Sequence, residues 1–291
     1  MTLFIDLRAI PSGGGVADEA KVWQGSDATQ PVNANAFADV VGGRDLLLVM
    51  HGFNVGRASG VASLSTWIDN CDLPASYLPV AVLWPGDSAW LPVVDYVYEG
   101  VEAIASGKLL AGFLDRFAAT ASSVSLVSHS LGARVLLEAG RRMKTAPAKV
   151  FIMAGAIENN CLAREYADAA RRVAGIYTLS SRRDWVLEYA FPPGNLVGEI
   201  VMHGHPYDRT ALGRAGPDRP LPDGVRVTAW QIPDGWDYGH LDYLSKDPGP
   251  QVPPPVTQPA PDTNPPFPED PQSAGWKSSW SAEAVAALVR S

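Results

Sequence analysis

The sequence predicts an α/β fold, a mostly parallel sheet flanked by helices, from three observations. Short continuous apolar runs recur from Asp45 onward, and stretches with apolar residues spaced near three and four separate them. At 291 residues, 46% hydrophobic and 19% charged, the chain can bury one sizeable core.

The elements follow in order. Leu3 to Ile10 alternates and reads as an N-terminal edge strand within residues 2–10, and Pro11 to Gly15 is a turn. Residues 16–43 stay mixed, with a weak helical stretch from Asn35 to Val41. The strand runs are Leu46 to Met50, Val80 to Trp84, Val124 to Val127, Val150 to Met153, Val173 to Leu179 and Val225 to Ile232. Their continuity marks strands buried on both faces. Helices are predicted over Gly60 to Asn70, Tyr96 to Ala121, Leu131 to Lys144 and Cys161 to Arg172. The connection from Met153 to Val173 is too short for an inserted cap, so no large cap domain is expected. Any lid would come from Ser180 to Gly224, which includes Phe191-Pro192-Pro193-Gly194.

These elements give a domain over residues 1–246. Residues 247–272 hold eleven prolines, four acidic residues and no basic one, which reads as a linker in polyproline conformation. The tract could recruit a proline-binding partner, although a plain spacer is the simpler reading. Residues 273–291 form a C-terminal segment with an amphipathic helix, Ser281 capping Ala282 to Arg290. With Trp276 and Trp280, that helix is expected to dock on the body.

Net charge is −8, and the arginine pairs at 141–142, 171–172 and 182–183 are isolated, which argues against a nucleic-acid partner. The two cysteines, Cys71 and Cys161, show no metal-ligand spacing and read as buried thiols. Asp6 and Arg8 interrupt the first apolar stretch before a signal sequence could form, and no run is long enough for a membrane span. A soluble, cytoplasmic protein is the expectation.

Chemistry concentrates at Val124 to Glu138, where an apolar strand enters a sharp turn at Ser130 and a helical pattern follows. That is the layout of a nucleophile elbow, which exposes a serine hydroxyl above a sheet. The flanking small positions are Ser128 and Gly132, so the leading glycine is replaced by serine. An ordinary helix cap in Ser-His-Ser is the competing reading.

A serine nucleophile needs an imidazole base and an orienting acid. Of the five histidines, His240 lies on the loop after the last strand, at its carboxyl end, where reacting groups gather in a parallel sheet. His129 adjoins Ser130 and must point away from its hydroxyl; His51 ends the first parallel strand, where a loop is needed and not a base. Asp184, directly after the Val173 to Leu179 strand, is the chosen acid, with Glu158 and Asp242 ranked below it. The chain order is then serine, acid, histidine.

For the oxyanion, Leu131 offers an N–H at a helix N-terminus and Phe53, after Gly52, offers a second. Trp84, Trp90, Trp185, Tyr189, Phe191 and Trp236 fall near the same end of the sheet; Trp185 and Trp236 are the choices for substrate binding. His203, His205 and Asp208 could be imagined around zinc, but no third histidine supports them, so no metal or other cofactor is expected.

The segments Leu47 to Asn54, Leu83-Trp84-Pro85-Gly86-Asp87, Ser128 to Arg134 and Ser181-Arg182-Arg183-Asp184 together resemble a bacterial esterase/lipase-like branch of the α/β-hydrolases, catalogued as a domain of unknown function. Ala211 to Pro217 is similar too, and the likeness runs from about residue 44 to residue 245. It implies a three-layer α/β-hydrolase fold and a Ser130, Asp184, His240 triad, with no particular substrate. The expected function is a serine hydrolase acting on a small-molecule acyl ester through an acyl-enzyme. Thioester or amide cleavage and acyl transfer would use the same residues, and a non-catalytic scaffold recruiting partners through the proline tract is the alternative of another class.

Overall fold

Residue by residue, the computed structural model describes positions 2–9, 15–87, 92–189, 191, 210–244 and 276–290, with the side chains of 92–99 and 276 excepted. The proline tract 247–272, the His203, His205 and Asp208 group, Trp90 and much of the proposed lid source lie outside the described residues.

The strands are β1 (Leu3–Arg8), β2 (Val16–Gln24), β3 (Gln30–Val32), β4 (Asp45–Met50), β5 (Tyr77–Leu83), β6 (Ser123–His129), β7 (Lys149–Met153), β8 (Gly175–Ser181) and β9 (Val227–Ile232). The α-helices are α1 (Ala34–Val41), α2 (Arg57–Asp69), α3 (Pro92–Phe117), α4 (Gly132–Arg142), α5 (Ala167–Arg172), α6 (Trp185–Tyr189), α7 (Leu212–Ala215) and α8 (Trp276–Arg290). The strands form one nine-stranded sheet in the order β3-β2-β1-β5-β4-β6-β7-β8-β9. From β1 to β9 every neighbouring pair in that order is parallel; β2 and β3 add an antiparallel hairpin at one side.

Apolar strand sequence explains the centre. β4, β6 and β7 are buried almost throughout, as strands covered on both faces must be, and their Leu, Val and Ile side chains make the core. The expected N-terminal edge strand is corrected here: β1 is interior, between β2 and β5, and all six of its residues are buried. Alternation along Leu3 to Ile10 resembles a border strand, yet its polar positions Asp6 and Arg8 are themselves buried, in ion pairs with Arg57 and Asp87 respectively.

Helices cover the sheet. α3 packs on α4, while α2 and α8 pack together. The α4 helix holds its last turn through the buried Glu138, which pairs with Arg141 and Arg142 at one-turn spacing. The C-terminal helix begins at Trp276, so Ser281 is inside it and is not its cap. Its hydroxyl instead donates to Tyr243 O (2.9 Å) or Ser278 O (2.8 Å) and accepts from Trp67 Nε1 (2.9 Å). Docking, which the sequence predicts, is made by these bonds, by Cys71 Sγ to Ala282 O (3.2 Å), and by Lys149 Nζ, which donates to Leu288 O (2.6 Å) at the helix C-terminus.

Candidate active site

The parallel strands deliver their carboxyl ends to one rim, and the residues of interest come from the loops there. β6 ends at His129 and α4 starts at Gly132, leaving Ser130 and Leu131 to make the turn. Ser130 has φ of 55°, the left-handed region that a residue with a Cβ adopts only under constraint. Constraint is supplied on both sides. Ser130 N donates to Met153 O (3.0 Å), and Ser130 O accepts from Ala133 N and Ala156 N (both 3.1 Å).

Two glycines let neighbouring backbone close on this turn. A Cβ at Gly52 would stand 2.6 Å from Ser130 Cβ, and one at Gly132 would stand 2.5 Å from His51 O. Gly52 is therefore there so that the β4 loop can lie against the serine. Ser128, in the place of the expected leading glycine, is fully buried, small enough to fit beneath the turn.

Ser130 Oγ lies 2.8 Å from His240 Nε2, and His240 Nδ1 lies 2.7 Å from Asp184 Oδ2. All three residues are buried. Asp184 does two things at once: its Oδ1 accepts from Leu187 N (2.9 Å), capping α6, while Oδ2 faces the imidazole. Helix capping and contact with the imidazole thus each use one oxygen of this carboxylate. Among the rival acids, Asp242 turns its Oδ2 to Gly239 N and Lys277 Nζ, each at 2.7 Å. Glu158 lies in a bridge to Ala211.

His129 leaves the turn away from the hydroxyl, as its position requires, and acquires a task not predicted for it. Its Nε2 lies 2.8 Å from His240 O, and the two rings are 4.9 Å apart. Burial lowers its pKa to about 3, so the ring is neutral and Nε2 carries the proton given to that carbonyl. The residue beside Ser130 thus fixes the main chain of the loop that carries His240. A His-Ser pair at an elbow with a distant histidine was the signal that could have suggested it. His51 is likewise neutral, its pKa lowered to about 4 by burial; it stacks on Trp84, whose Nε1 donates to His51 O (2.8 Å).

A cavity of about 650 Å³ opens over Ser130. Phe53, Val55, Val186, Leu187, Phe191 and Leu244 give it an apolar wall, and none of the described residues lining it is Asp, Glu, Lys or Arg. The tryptophans expected to bind substrate are elsewhere. Trp185 is 62% exposed at the start of α6, and Trp236 packs edge-on to Trp280; neither is among the described lining residues. Helical geometry explains the difference, because Asp184 faces inward and Trp185, one position on, is rotated outward, leaving Val186 and Leu187 to line the cavity. Leu131 is at the head of α4, and Phe53 lines the cavity beside Gly52.

Among the described residues no group of three or more His, Cys, Asp or Glu could hold a metal ion, and no helix is long and apolar enough to cross a membrane.

No curated protein matches the chain. Among solved structures, one of LipS and LipT, two metagenome-derived lipolytic enzymes, is 13% identical over 70% of this chain and 88% of that chain, with a TM-score of 0.38. Esterase PE8 is 16% identical over 68% and 86%, with a TM-score of 0.38. Acetyl xylan esterase 1 from Thermoanaerobacterium sp. JW/SL YS485 is 12% identical over 76% and 73%, with a TM-score of 0.39. Residues 32–229, which include Ser130 and Asp184 and stop short of His240, match the family described as alpha/beta hydrolase of unknown function (DUF900). With that match and the mostly parallel nine-stranded sheet in hand, the chain belongs to this α/β-hydrolase family.

Proposed function

We propose that the protein is a serine hydrolase that cleaves carboxylic esters with apolar acyl groups. One observation carries the reading: an unbroken hydrogen-bonded line from Asp184 through His240 to Ser130, opening on an apolar cavity. His240 Nε2 takes the hydroxyl proton as Ser130 Oγ attacks the carbonyl carbon, and Asp184 holds the ring in the tautomer with Nδ1 protonated. The tetrahedral oxyanion is met by the N–H groups of Leu131, where the α4 dipole favours negative charge, and of Phe53, brought close by Gly52. His240 returns the proton to the leaving alkoxide, and water, activated by the same imidazole, frees the acyl group. The reading places the enzyme in the cytoplasm, where the Cys71 and Cys161 thiols stay reduced, and keeps residues 247–272 as a spacer between the domain and α8.

A fluorophosphonate probe and a p-nitrophenyl ester panel test it. Wild type is expected to be labelled and Ser130→Ala is not; Asp184→Asn is expected to lower turnover about 10³- to 10⁴-fold, and Glu158→Gln far less. Folded wild-type protein that resists the probe would leave the scaffold alternative standing. Equal losses in the two acid variants would move the orienting role away from Asp184.

A further inference from the structure

The loop that brings Phe53 and Val55 to the main cavity continues into Arg57, which lines a second cavity of about 250 Å³ with Asp6, Arg8, Lys21, Trp23 and Thr29. Strand register assembles this lining. In the antiparallel β1–β2 pair Lys21 stands opposite Asp6 and Trp23 opposite Phe4, so these side chains share one face of the sheet. Arg57, in the first turn of α2, reaches over that face, its guanidinium 5.4 Å from the Trp23 ring.

The acceptors that line the cavity are already bonded. Asp6 Oδ1 already accepts from Arg8 N (3.2 Å) and Oδ2 from Arg57 Nε (2.9 Å), while Ala28 O accepts from Arg57 Nη2 (2.8 Å). The Thr29 hydroxyl is turned to Asp27 Oδ1 (2.9 Å). Donors remain. Arg8 Nε and Trp23 Nε1 are buried with no partner, and Lys21 Nζ makes no hydrogen bond or ion pair among the described residues. Arg8 commits its other nitrogens to Trp84 O (2.9 Å) and to the Asp87 carboxylate. Of the three cationic side chains among the described lining residues, Arg8 pairs with Asp87 and Arg57 with Asp6, whose two oxygens are both bonded, so the Lys21 ammonium is left without a carboxylate in a protein whose net charge is −8.

We propose that this cavity binds a phosphate group, with Lys21 and Arg57 supplying charge and with Arg8 Nε and Trp23 Nε1 as further hydrogen-bond donors. Donors arriving from two strands and a helix suit a group with three acceptor oxygens better than a planar carboxylate, and guanidinium and ammonium groups are the usual phosphate partners. Bound phosphate would also tie β1 and β2 to the start of α2. Arg8 Nη1 lies 3.4 Å from Val55 O, so the same arginine touches the wall of the main cavity.

Isothermal titration calorimetry of the full chain with sodium phosphate, at ionic strength held constant with chloride, tests the site. Wild type and Ser130→Ala are expected to bind alike, with a Kd of about 1 mM or below. Lys21→Gln and Arg57→Gln are each expected to weaken binding about tenfold, and Lys21→Arg is expected to retain it. Glycerol phosphate binding as well as inorganic phosphate would identify a phosphate carried on a larger ligand; binding of inorganic phosphate alone would identify the free ion. No heat with wild type, equal affinity for acetate, or unchanged affinity in both Gln variants would overturn the proposal and leave a solvent-filled cavity.

Discussion

At Ser130 the backbone is held at φ of 55° by neighbours that approach to distances only hydrogen atoms allow, and Gly52 and Gly132 are where that approach happens. The Gly132 contact is with the His51 carbonyl, a backbone atom that cannot swing aside as a side chain could. Gly132→Ala is therefore expected to cost about 1–3 kcal/mol of stability and to depress ester turnover, since relief requires the turn or the β4 loop to move. Gly112 in α3, whose added Cβ would meet nothing within 4 Å, is the control: Gly112→Ala is expected to be neutral or to stabilise by about 0.4–1 kcal/mol. Urea unfolding of the two variants decides it, and equal effects would mean that the elbow tolerates a methyl group. At this scale the sequence was informative about Ser130, Asp184 and His240, because each follows a strand of recognisable composition. It was uninformative about Trp185 and Trp236, because aromatic composition alone carries no direction; whether a side chain faces the cavity depends on a rotation of one helical position.

Among the elements, α8 has the broadest reach. Ser281 Oγ joins Trp67 of α2 to Tyr243 O, Tyr238 OH donates to Lys277 O (2.5 Å), and Lys277 Nζ bonds Asp237 O (2.6 Å) and Asp242 Oδ2. These contacts bracket His240 on both sides in sequence. Ser281→Ala strips the buried Trp67 indole of its acceptor and is expected to cost about 1–3 kcal/mol in thermal or urea unfolding. Such a loss with kcat falling more than KM rises would show that the helix positions the histidine loop; stability loss with unchanged kinetics would confine α8 to packing. The misplaced start of this helix has a local cause. Serine before an apolar run resembles a cap, yet here its hydroxyl also reaches back to Ser278 O, a bond compatible with an interior position. β2 and β3 escaped prediction for a different reason: VADEAKVWQ is half-exposed and charged, and QPV is three residues with a proline, so neither has the apolar run that marks the parallel strands.

Over the whole molecule, two buried neutral histidines make stability depend on pH. In the unfolded chain His51 and His129 protonate near 6.5, whereas in the fold they stay neutral down to about 4 and about 3. The unfolded state therefore binds more protons below 6.5, so their stabilising contribution is full above that value and is lost as pH falls toward 4. Moving from pH 7 to pH 5 is expected to lower unfolding free energy by about 2 kcal/mol for each histidine, before most carboxylates titrate. Urea unfolding at the two pH values measures it, and a flat response would contradict neutral burial. The parallel sheet itself was legible because two-sided burial writes itself as continuous apolar sequence; the antiparallel hairpin and the bracing by α8 were not, since they depend on partners distant along the chain.

That distance also gives the protein a timetable. Ribosomes make Ser130 first, Asp184 next and His240 after them, but the helix that clasps the His240 loop comes only at residues 276–290. A nascent chain that had emerged only as far as His240 would own all three side chains and still lack the helix that bonds the flanks of the His240 loop, so under the proposed chemistry competence to hydrolyse waits on residues 276–290.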